Sequence, residues 1–346
     1  MKRLSVIGHF AFGKLLLNGQ TIKTKVVAEA LEQQYHGYDV RRVDTHGGAL
    51  FLLKMPFVLW DVVRTSENVV VMPAHNGVRT MLPMLCLYNM LWRRNILYVV
   101  IGGWLPAMLQ ANGWLRKVIR RINGVFVETV SMKRRLESIG IGNVYVMPNC
   151  KKLDILKETP RWNQADRLPL CTFSRVMEEK GIAEAVDAVK KANDAIGEDV
   201  YSLDIYGQVE KGQEEGFSGL MNGQPEYIRY RGCVAFDKSV EVLAGYYALL
   251  FPTHYQGEGF AGTVIDAFAA GLPVIATDWH DNADIIRHGQ TGYVYPVNDT
   301  EALARILLDI HNGRNDVERM RRACTEEARR YQPHEVIMTL INHLKK

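Results

Sequence analysis

Short apolar runs recur along the first half of the chain, separated by longer stretches in which polar and apolar positions alternate with helical spacing. Runs of roughly four to eight apolar residues are typical of buried strands, and longer periodic stretches are typical of helices. The pattern predicts strands over 4–8, 39–43, 68–72, 97–101, 125–127 and 144–147. It predicts helices between them, including 19–35, 78–92 and 130–138. Alternation of this kind indicates a doubly wound parallel sheet.

A second alternating series begins after a charged connector over 151–168. Its strands are predicted over 170–173, 201–206, 227–230, 248–251, 274–276 and 292–295. The remainder, 300–346, is predicted to be helical with interruptions near Gly313 and Pro333. The sequence therefore predicts two α/β domains, 1–155 and 156–330, that face a central cleft.

The length of 346 residues fits two domains, because a single hydrophobic core seldom grows this large. The chain opens on Met1-Lys2-Arg3 and runs straight into a strand, which does not resemble a signal peptide. The uncharged run 95–115 contains Gly102, Gly103 and Pro106, so it makes a poor membrane span. Five widely spaced cysteines without a CxxC motif fit a reducing compartment and predict neither disulfides nor a zinc site. We expect a cytoplasmic protein.

Charge is distributed unevenly between the two predicted domains. Residues 1–155 carry 21 Lys and Arg against 9 Asp and Glu, whereas the remainder carries 21 against 29. A basic half can be a set of solvated helix faces, or it can attract an anionic membrane or polyanion. Nucleic acid is disfavoured because no DNA- or RNA-binding motif accompanies the charge. We expect peripheral contact with an anionic membrane at the inner face of the cell membrane.

The loop after the first strand nearly matches a phosphate-binding P-loop. Residues 8–15 read GHFAFGKL, and Leu15 stands where that motif requires a Ser or Thr hydroxyl for magnesium. A dinucleotide-binding GxGxxG turn is also missing. Gly19, at the predicted start of the first helix, either lets a phosphate or sugar approach the backbone or is a plain cap.

Two cations follow the first strand of the second domain. Arg175 and Lys180 lie five residues apart across a turn at the carboxyl end of that strand. A guanidinium fork beside an ammonium point charge suits a diphosphate.

The stretch 257–271, GEGFAGTVIDAFAAG, places Glu258 on a glycine-flanked loop and Asp266 eight residues further on. A helix beginning near Gly262 would point free N–H groups at an anion. If all eight steps were helical, roughly 12 Å would separate the two carboxylates, about the span of a nucleotide sugar from its sugar to its ribose. The alternative is that Glu258 caps the helix and Asp266 is solvated.

Taken together, these motifs resemble the C-terminal domain of retaining GT-B glycosyltransferases of family 4, group 1. The resemblance covers about 170–300 and includes Arg175, Lys180, Glu258 and the run 270–277, AGLPVIAT. Residues 1–150 resemble the N-terminal domain of the family more loosely. The resemblance implies a GT-B fold with two Rossmann-like domains, an acceptor-binding first domain, a donor-binding second domain, and a last segment, 331–346, that crosses back to the first domain.

The resemblance also implies roles for individual residues. Arg175 and Lys180 would hold the donor diphosphate, and Glu258 would bind hydroxyls of the donor sugar. Donor contacts are further expected from Gly19, Gly207, Cys233, Val234, Gly259, Phe260, Gly262, Thr263, Val264 and Asp266. Of these, Gly207, Cys233 and Val234 would lie near the base, whereas Thr263 and Val264 would offer N–H groups to phosphate. No metal and no cofactor is implied beyond a nucleotide diphosphate sugar, expected to be UDP-linked.

The sequence departs from the family pattern at two positions. The second acid of the pair is Asp266 where the family usually has glutamate. The loop after the fourth strand reads VIGGW, 100–104, where many members carry a histidine. His75 or His9 could occupy that space, and His75 is the candidate catalytic residue beside Glu258, Arg175 and Lys180. His254 and His280 flank the donor loops and are expected to be structural.

The expected activity is retaining, metal-independent transfer of a hexose-type sugar to a glycan or lipid-linked glycan. Capsule, exopolysaccharide or lipopolysaccharide synthesis would use such a step. Two alternatives stay open: a catalytically inactive nucleotide-sugar or glycan-binding subunit of the same fold, and a nucleotide-sugar epimerase or phosphorylase.

Overall fold

The computed structural model describes residues 2–14, 19–35, 38–158, 167–313 and 317–345. Part of the predicted connector, 159–166, lies outside them. The chain divides into two compact units. The first contains Met1–Lys152 together with Tyr331–Lys346, and the second is Leu153–Arg330.

The first unit is built on a six-stranded sheet with the order β2-β1-β3-β4-β5-β6. Every neighbouring pair is parallel. The strands are β1 (Lys2–Gly8), β2 (Tyr38–Asp44), β3 (Asn68–Met72), β4 (Asn95–Val99), β5 (Gly124–Val127) and β6 (Val144–Val146). The chain reverses direction across the sheet between β1 and β3, so the loops that follow these strands border the switch point.

Within the described residues, six helices connect these strands, and the C-terminal helix returns to them. They are α1 (Gly19–Gln34), α2 (Gly48–Thr65), α3 (His75–Trp92), α4 (Leu105–Ala111), α5 (Gly113–Ile119) and α6 (Val130–Ser138). The last helix of the chain, α14 (Pro333–Ile341), also belongs to this unit. Its Val336, Ile337 and Leu340 are buried with Leu4, Val27 and other residues on one face of the sheet. The opposite face is covered by α2, α3 and α5.

The second unit contains a sheet with the order β12-β11-β10-β7-β8-β9, again parallel throughout. Its strands are β7 (Leu168–Phe173), β8 (Tyr201–Tyr206), β9 (Ile228–Gly232), β10 (Ala248–Phe251), β11 (Val274–Thr277) and β12 (Gly292–Tyr295). Numbered within the unit, this order is the Rossmann order 3-2-1-4-5-6. The switch point lies between β7 and β10, which pair directly.

The helices of the second unit cover both faces of its sheet. They are α7 (Ile182–Ile196), α8 (Glu214–Met221), α9 (Ser239–Leu243), α10 (Gly262–Ala269), α11 (Asn282–Ile285), α12 (Thr300–His311) and α13 (Val317–Arg329). The apolar residues of α7 and α12 pack with β7, β8 and β12 in one buried cluster. The predicted doubly wound α/β class is confirmed in each unit.

The strand prediction was wrong in detail at β4, which spans Asn95–Val99 rather than 97–101. Asn95 is buried at the start of the strand, where its side chain donates to the Asn68 carboxamide oxygen at 2.7 Å. A polar residue at the beginning of a buried strand has no apolar signature, so the periodicity placed the strand too late.

Candidate active site

Two loops meet at the switch point of the second sheet. One follows β7 and carries Arg175 and Lys180, and the other follows β10 and carries Glu258. Because β7 and β10 are neighbours, both loops emerge at the same carboxyl edge. In open α/β sheets this crevice is where ligands bind.

The two loops approach each other closely at Gly181, where only a glycine fits. Gly181 has a φ of +67°, and a Cβ on it would lie 2.2 Å from the carbonyl oxygen of Pro252. The His254 N–H donates to the Glu179 carbonyl at 2.8 Å. Any side chain at position 181 would push the loops apart, so Gly181 fixes where Lys180 stands relative to the second loop.

Lys180 and Glu258 form an ion pair between these loops. Both residues are buried, at 8% exposure each. The Thr253 hydroxyl donates to the same Glu258 oxygen at 3.0 Å. The Lys180 ammonium lies 5.6 Å from the ring centre of Phe251 and 5.0 Å from that of Tyr255. The carboxylate therefore sits at a fixed position beside the lysine ammonium.

Arg175 lies at the more exposed end of the site. Its guanidinium pairs with Glu210 at 2.6 Å and stands 5.5 Å from the ring centre of Tyr255. Burial lowers the pKa of this guanidinium, but hydrogen bonds to Tyr255 and Glu210 outweigh burial and raise its pKa. The ring of Tyr255 is thus shared by Arg175 and Lys180, which brings the two predicted diphosphate ligands close together.

Gly207, Cys233 and Val234 extend this edge along the sheet, after β8 and β9. Gly207 has a φ of +135°, and a Cβ there would lie 1.7 Å from the Ser174 carbonyl oxygen. Its carbonyl accepts from the Tyr230 hydroxyl at 2.8 Å. Cys233 is an exposed free thiol. The loops after β7, β8 and β9 are adjacent at one edge, and contact of these residues with a base stays a prediction.

Helix α10 begins at Gly262, as predicted, with Ala261 at its N-cap. Among the described residues, the cap forms no side-chain hydrogen bond, and the Glu258 carboxylate is paired with Lys180. The alternative that Glu258 caps this helix is therefore wrong.

The first N–H groups of α10 differ in availability. The Val264 N–H donates to the Ala261 carbonyl at 3.1 Å, because the helix opens with a tight turn. This N–H is therefore less available to a phosphate, and the contact of Val264 with the donor stays a prediction. The Thr263 hydroxyl oxygen is buried and has no hydrogen-bond partner within the described part of the chain. Gly262 and Thr263 are the candidates that remain for a phosphate.

Asp266 is buried at 4% exposure in the second turn of α10, so the alternative of a solvated Asp266 is also wrong. The estimate of roughly 12 Å between Glu258 and Asp266 assumed a helix over all eight steps. The helix covers only the residues from Gly262 onward, so that estimate does not apply. Between the two acids, Phe260 is buried and Gly259 is partly exposed.

Sequence reasoning missed three residues that shape this site: Thr253, Tyr255 and Glu210. The loop that carries Tyr255 is anchored by Trp279, whose indole N–H donates to the Tyr255 carbonyl at 2.8 Å. Nothing in the sequence pattern connects Trp279, which follows β11, to that loop. The aromatic residue three positions before Glu258 was the one usable signal, because cations stack on aromatic faces.

In the first unit, the predicted residues His75 and Gly19 lie at the carboxyl edge of the sheet. His75 begins α3, is exposed, and meets the ring of Trp104 edge to face at a centroid distance of 5.2 Å. Gly19 begins α1 and is exposed, with open space where a Cβ would stand. The roles predicted for both stay predictions.

A further polar cluster at this edge involves His9, which follows β1. Its Nδ1 lies 2.8 Å from the Thr21 hydroxyl, and its Nε2 lies 3.0 Å from Nδ1 of His46. Burial, followed by the neighbouring His46, lowers the pKa of His9. The Asp44 carboxylate accepts from the backbone N–H groups of residues 10, 11, 12 and 46 at 2.9 to 3.1 Å. Asp44 thus fixes the loop that carries His9.

The second unit is similar in sequence to a known protein family. Residues 168–312 match the family described as Glycosyl transferases group 1. The Phosphatidyl-myo-inositol mannosyltransferase of Mycobacterium leprae (strain TN) is 30% identical over 223 residues, which cover 63% of this chain and 56% of that protein. The chain therefore spans about half the length of this curated relative.

Solved structures resemble both units in one alignment. Anabaena Alr3699/HepE in complex with UDP and glucose has a TM-score of 0.71 at 14% identity, with 99% of each chain covered. The apo form of the lipopolysaccharide outer core galactosyltransferase WaaB has a TM-score of 0.72 at 13% identity, also with 99% of each chain covered. These similarities confirm the predicted GT-B fold.

Proposed function

We propose that the protein transfers a sugar from a nucleotide diphosphate donor to a glycan acceptor, because residues 168–312 match the group 1 glycosyltransferase family and the chain has the GT-B fold. The observation that carries the proposal is the convergence of Arg175 and Lys180 on the ring of Tyr255, beside the Glu258 carboxylate. Two cations and one oriented carboxylate are what a diphosphate joined to a polyhydroxylated sugar requires.

In the proposed reaction, the bond between the anomeric carbon and the diphosphate oxygen breaks while the acceptor oxygen bonds to that carbon. Negative charge builds on the departing diphosphate, where Arg175 and Lys180 stabilise it together with the N–H groups of Gly262 and Thr263. The acceptor proton passes to the departing phosphate oxygen.

Attack on the face from which the diphosphate leaves retains the configuration, with no covalent intermediate on the enzyme and no metal. Glu258 orients sugar hydroxyls, and Asp266 accepts from ribose hydroxyls. His75 is kept as a candidate catalytic residue.

The proposed donor is UDP-linked and carries a hexose-type sugar. Support comes from the neighbour HepE, which was solved with UDP and glucose. The proposed acceptor is lipid-linked or anionic, since the first 155 residues are strongly basic. The relatives include an amylovoran biosynthesis glycosyltransferase of Erwinia amylovora, which fits a role in bacterial surface-polysaccharide synthesis.

We place the protein in the cytoplasm, in peripheral contact with the inner face of the cell membrane. Over the described residues, no helix combines the length and the apolar character needed to cross a bilayer.

A thermal-shift panel with UDP, GDP and ADP sugars tests the donor, because a ligand that binds only the folded state raises the melting temperature. We expect UDP sugars to raise it most, and an Arg175→Ala variant to lose the shift. Release of UDP that requires an acceptor would support a transferase. A donor shift without turnover on any acceptor would favour a binding subunit, and turnover of the nucleotide sugar alone would favour an epimerase.

A further inference from the structure

Helices α2 and α3 of the first unit expose a set of large apolar side chains, which we term the α2–α3 patch. On α2 it comprises Leu52, Leu53, Phe57 and Trp60, and on α3 it comprises Leu87, Met90 and Leu91. Phe57 is 78% exposed, Leu53 75% and Met90 70%. Large apolar side chains in such number on one surface mark an interaction site.

The patch is one continuous surface. With about 100° between successive helical residues, the four members on α2 fall within an arc of roughly 140°. Trp60 joins them to α3, because its ring meets those of Tyr88 and Trp92 edge to face at centroid distances of 5.3 and 4.7 Å.

The opposite side of α2 packs in the hydrophobic core of the unit. Met55, Leu59, Val62 and Val63 are buried against the sheet. A helix that only covers a sheet needs one apolar stripe and a polar outer face. Apart from Trp60, which contacts α3, the apolar outer face of α2 is exposed beyond what covering the sheet requires.

The sequence around the α2–α3 patch is basic, which favours an anionic partner. Residues 45–127 contain nine Lys and Arg but only Asp61 and Glu67 as acids. Asp61 is paired with Arg41 at 2.7 Å and with Arg64 at 3.3 Å. Lys54 lies on α2 itself and is exposed.

Helix α5 continues this surface, since Cys86 on α3 lies 3.7 Å from the Val118 carbonyl on α5. The exposed residues Trp114 and Lys117 lie on α5, and Arg121 follows it. Exposed tryptophan beside basic residues is typical of the interface between lipid headgroups and acyl chains.

We infer that the α2–α3 patch inserts into the outer acyl region of an anionic lipid bilayer, with Lys54, Lys117 and Arg121 on the headgroups. A second copy of the chain is the poorer occupant, because it would bring two basic surfaces together. The inference locates the membrane contact of the proposed function and rests on it for biological purpose, but vesicle binding can be measured without any sugar donor.

The inserted apolar side chains change what salt should do. A purely electrostatic contact weakens steeply as salt screens it, whereas apolar insertion does not. We expect binding to vesicles of phosphatidylcholine with one third phosphatidylglycerol to fall with salt to a plateau rather than to zero. Binding to phosphatidylcholine alone should be weak.

The test is flotation of the full chain with these vesicles and with phosphatidylcholine alone. We use two double variants, Leu53→Ser/Phe57→Ser and Leu87→Ser/Leu91→Ser. Each should lower the vesicle-bound fraction at least about tenfold at every salt concentration, because burial of one large apolar side chain in the bilayer strengthens binding by about tenfold or more. Lys117→Glu/Arg121→Glu should lower it mainly at low salt. Met338→Ser removes a 43% exposed apolar side chain from α14 and should change nothing.

The inference would be overturned if the wild type did not bind vesicles, or if both apolar variants bound them as well as the wild type does. It would also be overturned if the wild type were a dimer and both apolar variants were monomers that still bind vesicles. Circular dichroism and the donor-induced thermal shift check that the variants are folded. If no nucleotide sugar raised the melting temperature of the wild type, the proposed function would be contradicted, but the vesicle result would still stand.

Discussion

The ammonium group of Lys180 is paired with the carboxylate of Glu258, 78 residues further along the chain. The side chains are only 8% and 10% exposed, and the loops that carry them follow the two strands at the switch point. The proposed reaction uses both groups on the donor, and the pair fixes their positions before the donor arrives.

Breaking this pair should destabilise the protein. Lys180→Met leaves a buried carboxylate without its cation, and Glu258→Gln leaves a buried ammonium. We expect each to cost about 3–5 kcal/mol of unfolding free energy, whereas Lys180→Met/Glu258→Leu should cost less than the sum. Urea unfolding measures all three.

The matched control is the exposed pair of Lys238 and Glu241, where Lys238→Met should not measurably change stability. Additive losses in the double variant would show that Lys180 and Glu258 act independently.

Arg175 is proposed to bind the donor diphosphate, and in the structure it forms an ion pair with Glu210. Variants of the two residues distinguish these two interactions. Arg175→Ala should lower kcat by roughly 10²–10³-fold, because it removes one preorganised group from the developing phosphate charge. Glu210→Gln should leave kcat near the wild-type value and lower the KM for donor, since the guanidinium loses a competing carboxylate. Steady-state kinetics with the best donor from the thermal-shift panel measures both.

Near-normal turnover of Arg175→Ala would show that the diphosphate lies elsewhere. A large loss in Glu210→Gln would show instead that Glu210 positions Arg175. Arg175→Lys serves as the intermediate case, because it keeps the charge but loses the bidentate fork.

Motif spacing was enough to predict the switch-point loops of the second unit. Arg175, Lys180, Glu258 and the start of α10 at Gly262 all lie at the edge where the sequence pattern placed them. The partners of these residues could not be predicted. Glu210 follows a different strand, and the Lys180–Glu258 pair depends on a backbone contact between Gly181 and Pro252 that has no counterpart in periodicity.

The α2–α3 patch was missed for a different reason. The sequence of α2 is apolar on most of its circumference and contains Pro56, so its pattern has neither a clear amphipathic period nor a clean start and end. Exposure of Leu53 and Phe57 becomes visible only when the buried face of the helix is known.

Cys233 offers a direct test of where the base lies. It is exposed, whereas burial raises the pKa of the Cys86 and Cys150 thiols to about 11 and raises the pKa of the Cys171 thiol well above its usual range. Thiolates react with maleimides and thiols do not, so Cys233 should be labelled first at neutral pH. Saturating UDP should slow the labelling if Cys233 contacts the base.

Mass spectrometry of the labelled chain identifies the site, with Cys233→Ser as the control. Labelling at an unchanged rate with UDP bound, in a protein whose melting temperature UDP raises, would remove Cys233 from the donor site.

Asp44 should make the stability of the first unit depend on pH. Burial raises the pKa of this carboxyl, but four backbone N–H donors outweigh burial and lower its pKa. A carboxyl whose folded pKa is depressed stabilises the protein above its unfolded value of about 3.9, and that stabilisation is lost as the pH falls through the folded pKa.

Asp44→Asn should therefore cost about 1–2 kcal/mol at pH 7, a value reduced by partial solvent screening. The difference from wild type should begin to shrink below about pH 4, where the carboxyl is protonated in the unfolded chain, and should be lost as the pH falls through the lowered folded pKa. Asp39→Asn is the control, because Asp39 is exposed and forms only a 3.4 Å pair with Arg3. A cost that is the same at both pH values would show that the charge of Asp44 is irrelevant.

The C-terminal segment should be required for the stability of the first unit. The Asn68 carboxamide pairs with both backbone groups of Lys345, accepting from its N–H at 2.8 Å and donating to its carbonyl at 3.1 Å. Leu340 is fully buried in the same cluster as Leu4 and Val27.

We expect Leu340→Ala to cost about 2–5 kcal/mol, because it leaves a cavity. Asn68→Ala should cost about 1–3 kcal/mol, because both backbone groups of Lys345 lose their partner. Met338→Ala on the same helix should be nearly neutral, since that side chain is 43% exposed. Limited proteolysis followed by N-terminal sequencing measures the opening of this segment. Unchanged protease resistance in Leu340→Ala would show that burial of the Leu340 side chain is not needed to hold the returning segment against the first unit.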